Sequence, residues 1–62
     1  MEPLYKASHF EKAIQNKWHV IVYQQEEVLD EGGIIERQTL KTVVIGGNHF
    51  IKENCQFFAR SS

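Results

Sequence analysis

The stretch TVVIGGNHFI, residues 42–51, constrains this chain more than any other. Three β-branched residues, Val43, Val44 and Ile45, run into Gly46-Gly47, and the apolar pair Phe50-Ile51 follows. β-Branched side chains suit a pleated surface and lose rotamer freedom in a helix. The primed turns that close two-residue hairpins need positive φ, which glycine adopts without steric cost. The pattern predicts antiparallel strands over residues 42–45 and 49–52, joined by a tight turn.

A second strong strand signal is WHVIVYQ, residues 18–24. Period-2 geometry points Trp18, Val20 and Val22 one way and His19, Ile21 and Tyr23 the other. Both faces are apolar, so this strand is expected to be covered on both sides, by a helix on one and by the rest of the sheet on the other. Residues 33–39 (GIIERQT) read as another strand, opened by a turn at Gly32-Gly33. Residues 55–59 (CQFFA) read as the last, again apolar on both faces through Phe57 and Phe58. Between the first two strands lies a polar interlude over residues 25–31, expected to be a solvated loop, although Val28 and Leu29 within it could let the strand continue or form a small exposed anchor.

Before the first strand, Ser8 and Glu11 stand at capping-box spacing. Phe10, Ala13 and Ile14 follow at helical intervals, which predicts a two-turn helix over residues 8–16. It should end at Asn16, a residue that accepts the left-handed conformation. So short a helix needs a surface to lie on. Residues 1–7 are expected to form an arm and residues 60–62 a tail.

One short helix followed by five closely spaced strands predicts an α+β, mainly β fold. It is a strongly bent five-stranded antiparallel sheet or small barrel of the Sm/SH3-like kind, with residues 18–59 forming the barrel. The expected core is Phe10, Ala13, Ile14, Trp18, Val20, Val22, Ile35, Val44, Phe50, Ile51, Cys55 and Phe57. Sixty-two residues make one small domain, and a core of that size leaves little stability to spare. Small domains usually add disulfides, a metal or a partner subunit. Cys55 has no second cysteine to pair with, so self-association through edge strands is expected.

The net charge of −1 lacks the basic excess of domains held by phosphate contacts. No apolar run approaches the ~18 residues of a membrane span. Residues 1–8 lack the apolar core of a secretory leader, so a cytoplasmic location is expected. His9, His19 and His49 lie on separate elements without metal-ligand spacing. Cys55 beside Phe57 and Phe58 reads as a packing residue rather than a nucleophile. No cofactor is implied, nor any catalytic constellation. Glu26, Glu27, Asp30 and Glu31 hold half of the eight carboxylates and form a candidate docking patch for a basic protein partner. Asn48 and His49 beside Gly46-Gly47 mark a turn whose amides could cup an anion, although turn geometry explains the residues better.

The order of these elements resembles the Sm-like family, and within it bacterial Hfq, over roughly residues 10–59. It is also similar to the YolD-like bacterial family. The resemblance rests on the helix, the strand WHVIVYQ, the glycine-bearing turn, TVVI and the closing CQFFA. It implies barrels joined side by side into rings through their last two strands and, for Hfq, binding of single-stranded RNA. Gln15 then takes the place of the family's glutamine near the helix. His49 and Lys52 stand near its basic pair, in an order that differs from the usual one. The interlude over residues 25–32 is longer and more acidic than the resemblance implies. Lys12 and Lys17, with Gln15 and Trp18, could form a small positive rim carrying a stacking aromatic, although Trp18 reads better as a core residue.

Two functions are therefore expected. The first is a non-enzymatic accessory or protein-interaction module of bacterial or phage type, forming a homo-oligomer. The alternative is an Sm/Hfq-like binder of single-stranded RNA through Gln15, Lys17, Trp18, His49 and Lys52.

Overall fold

The glycine hairpin forms as its residue types dictate. Gly46 (φ 56°) and Gly47 (φ 80°) both take positive φ, and Ile45 lies opposite Asn48 across a two-residue type I′ turn. In the computed structural model, which describes residues 1–60, the elements are β1 (Glu2–Leu4), α1 (Ala7–Gln15), β2 (His19–Gln24), β3 (Glu27–Gln38), β4 (Thr42–Ile45), β5 (Asn48–Ile51) and β6 (Gln56–Arg60). The strands make one antiparallel sheet in the order β1-β6-β2-β3-β4-β5. The fold is thus α+β and mainly β, but six strands replace the expected five. The sheet is open, with β1 and β5 at its edges, rather than a closed barrel.

The sixth strand comes from the expected arm. Leu4 is buried opposite Phe57, and that contact draws residues 2–4 onto the sheet. Arg60, expected in the tail, is the last residue of β6, while Ser61 and Ser62 lie outside the described residues.

β3 does most to shape the sheet. The extra residues Leu29, Gly32 and Glu36 have no partner in the ladders to β2 and β4, so each marks a bulge. Bulges bend a strand and raise its twist. The first part of β3, through Ile34, pairs with β2; Ile35 to Gln38 pair with β4. One strand thus serves both arms of a folded sheet. At the corner, a Cβ on Gly33 would overlap Ile45, so only glycine lets the two arms close on each other.

The polar interlude is not a loop. Gln25 (φ 50°) and Glu26 (φ 69°) make a second two-residue turn of type I′, with Gln24 opposite Glu27, and β3 starts at once. Gly32-Gly33, expected to reverse the chain, lies inside β3.

α1 begins one residue earlier than expected, and the box of Ser8 and Glu11 is not its cap. Lys6 is the N-cap, and the His9 imidazole accepts from the Lys6 and Tyr5 amides through Nδ1, both at 3.2 Å. Glu11 instead accepts from Gln38 Nε2 (3.4 Å), which also donates to the Ala7 carbonyl (3.0 Å). At the other end the left-handed residue is Lys17 (φ 53°), not Asn16. The Trp18 amide donates to the Ala13 carbonyl (3.0 Å) and the Lys17 amide to that of Ile14 (3.2 Å), which is a Schellman motif.

The helix buries Phe10 and Ala13 against the concave side of the sheet, where Phe10 meets Phe57 edge-on at 5.2 Å. Leu4, Val20, Val22, Ile35, Val43, Ile45, Phe57 and Ala59 complete that core, with Ile14, Trp18, Phe50 and Cys55 packed at its margin. Ile51, expected inside, is 47 % exposed, because its position on β5 opposite Thr42 points it away from the core. No helix among the described residues is long and apolar enough to cross a membrane.

Candidate functional site

The four acidic candidates do not form one patch. Residues directly opposite each other on paired strands share a face. Glu26 is in the turn; Glu27 and Asp30 stand opposite Gln24 and Val22 on the concave side, whereas Glu31 stands opposite Ile21 on the convex side. Asp30 is half-buried, and its Oδ1 accepts from the amides of Gly32 (3.3 Å) and Gly33 (3.2 Å). Its carboxylate holds the bulge in place instead of facing a partner.

The RNA candidates are likewise dispersed. Gln15 and Lys17 are exposed at the end of α1. Trp18 is half-buried, with the Lys12 ammonium 5.9 Å from its ring centre, in a depression also lined by Leu4 and His9. His49 is exposed on β5 and lines a different depression with Leu29 and Phe50. Lys52 lines a third, and its ammonium is already engaged. It donates to the Thr39 carbonyl (2.7 Å) and Gln38 Oε1 (2.9 Å), and it lies 4.7 Å from the centre of the Phe10 ring. Lys52 ties the β3–β4 turn to the core.

The remaining polar candidates have local duties. The His19 Nδ1–H donates to the Gly32 carbonyl at 2.6 Å, which pins the same bulge that Asp30 caps. The Gly47 amide, part of the turn that could cup an anion, holds the chain's own Glu36 carboxylate at 2.9 Å. Desolvation pushes the thiol of half-buried Cys55 above its ordinary pKa of 9.0, so little thiolate is present at neutral pH. No group of three or more His, Cys, Asp or Glu among the described residues is arranged to hold a metal ion.

What the fold does bring together is apolar. On the convex side of β1, β6, β2 and β3, the register aligns Pro3, Phe58, Ile21 and Glu31 in one row. Gln56, Tyr23 and Val28 make the next row, and Arg60, His19 and Ile34 the row on the other side. Tyr23 packs edge-on against Phe58 at 5.5 Å. Val28 and Ile34 remain 43 % and 40 % exposed, and Met1 lies beside Tyr23, Glu26 and Phe58 in a depression of ≈ 350 Å³. The helix lies on the opposite side, so no helix or strand among the described residues packs over this face, although Ile21 at its centre is only 5 % exposed. The two-sided pattern of WHVIVYQ and CQFFA was the available sign of such a face, but it reads equally well as a strand covered on both sides.

No known protein family, curated protein or solved structure matches this chain.

Proposed function

We propose that the chain is a small, non-enzymatic interaction module that self-associates. The observation that carries this reading is the set of apolar side chains on the convex sheet face, exposed Val28 and Ile34 with half-buried Tyr23 and Phe58, around buried Ile21. Contiguous exposed apolar surface of this kind marks interaction sites in soluble proteins. The strand edges offer less than the face. β1 has three residues, one of them Pro3, which lacks an amide hydrogen, and at β5 the Ile51 carbonyl already accepts from the Asn54 amide at 3.0 Å. Native mass spectrometry and light scattering across about 1–500 μM should show mass rising above that of one chain. A monomer at every concentration would remove the reading.

A second reading, an Sm-like binder of single-stranded RNA, draws on the helix followed by β2 to β6, with β6 returning beside β2. Lys12 above Trp18 supplies the accompanying cation and stacking ring. Fluorescence anisotropy with U-rich and A-rich oligonucleotides at low salt tests it. Binding lost in Trp18→Ala would support it, and no binding at high micromolar protein would end it.

A further inference from the structure

We infer that the convex face of β1, β6, β2 and β3 is covered by a second copy of this chain, packed face to face about a two-fold axis that crosses the strands. The inference rests on the self-associating module proposed above and specifies its interface. The reason lies in how charge is distributed around the apolar rows. At one end of the face stand Arg60 and His19, which are paired in register; at the other, Glu26 lines the depression next to Tyr23 and Phe58. An axis lying in the interface across the strands reverses strand direction without changing strand position. It sets the Arg60 end of each copy over the Glu26 end of the other, twice per dimer, as an isologous interface requires. Half-buried Phe58 of the middle row, over buried Ile21, then meets its own counterpart, Val28 meets the other copy's Ile34, and the two sheets stack at the usual ~10 Å. An axis along the strands would instead superpose the two Arg60 ends, placing like charge on like.

The same geometry carries one unfavourable contact. Glu31 shares the middle row with Ile21 and so approaches the other copy's Glu31 at the rim of the interface. Four strands at ~4.8 Å spacing and about five residues of ~3.4 Å each give a planar footprint on the order of 300 Å². That is small beside the ~800 Å² per partner of a standard interface, so a weak, micromolar dimer is expected.

Sedimentation equilibrium of the full chain and its variants tests the arrangement, with circular dichroism confirming that each variant is folded. Val28→Glu places an unpaired charge against the apolar Ile34 of the other copy and should weaken association by about 10-fold or more. Phe58→Glu should do the same, and Val28→Glu serves if that variant does not fold. Glu26→Arg and Arg60→Glu should each weaken the dimer about 10-fold, and combining them should restore it. Glu31→Gln should tighten it. If wild type associates but Val28→Glu leaves association unchanged, the convex face is not the interface and this inference fails while the module reading stands. If Val28→Glu weakens association but the charge exchange does not restore it, the proposed axis is wrong. A wild type that stays monomeric defeats both readings.

Discussion

Lys17 holds a left-handed conformation (φ 53°) at the end of α1, where glycine is the usual occupant. An L-residue there costs about 1–2 kcal/mol, and glycine gives part of that back through the extra freedom of the unfolded chain. Lys17→Gly should therefore raise stability by about 0.5–1 kcal/mol, read as a higher urea midpoint at unchanged slope. An unchanged midpoint would mean that the Schellman bonds to Ala13 and Ile14 do not hold Lys17 in this conformation. Cys55 makes a pH prediction. Its pKa is raised in the folded state, so the native protein binds that proton more tightly than the unfolded chain does. The contribution to stability is intact below pH 9.0 and is lost as the pH climbs through the folded-state value. Alkylation by iodoacetamide at pH 8 should accordingly run slower in the native protein than in the urea-unfolded chain. Equal rates would show that the thiol is not desolvated.

The two hairpin turns share one geometry and differ in chemistry. Gly46-Gly47 is a strong turn signal in sequence because glycine suits both positive-φ positions, and that hairpin was legible at once. Gln25-Glu26 takes the same turn with no such residue, because Tyr23 and Val28 are brought opposite each other and the strands beyond them pair. Replacing Gln25-Glu26 by Asn-Gly should stabilise the protein by about 1 kcal/mol, raising the melting temperature of dilute protein by roughly 4–8 °C. A fall in stability would show that the wild-type side chains contribute more in the turn than the strain costs. β3 itself was hidden for a related reason. Its bulges at Leu29 and Gly32 turn the period of two into a spacing of three, so Val28, Glu31 and Ile34 share the convex face and Glu27, Asp30 and Gly33 the concave one. A strand with that spacing does not alternate, and its acidic residues therefore resemble a loop.

For the molecule as a whole, stability rests on a single layer of contacts between α1 and the concave sheet. At about 0.05–0.15 kcal/mol per residue, a domain of this size has roughly 3–9 kcal/mol in total. Phe10 is almost fully buried, meets Phe57 edge-on and lies beneath the Lys52 ammonium. Phe10→Ala should remove about 3–5 kcal/mol, enough to unfold a large fraction of the protein at 37 °C. Loss of less than 1 kcal/mol by chemical denaturation would mean that the helix is not essential to the core. The convex face acts in the other direction: a dimer formed there would make the melting temperature rise with protein concentration.

Local residue chemistry was enough to specify the elements whose signals are local. β-Branched runs flanked by glycine make β4 and β5, alternating apolar residues make β2, and the spacing of Phe10, Ala13 and Ile14 makes α1. Position in three dimensions had to settle the rest. Whether Leu4 becomes a strand depends on Phe57, fifty-three positions away. Whether Glu26, Glu27, Asp30 and Glu31 act together depends on bulges that send them to opposite faces. Lys52 gives its charge to a turn and an aromatic ring instead of a ligand because Thr39, Gln38 and Phe10 converge on it. The physical reason is the same in each case: turn and helix preferences act between near neighbours, whereas burial and register are set by partners that only the folded sheet brings into contact.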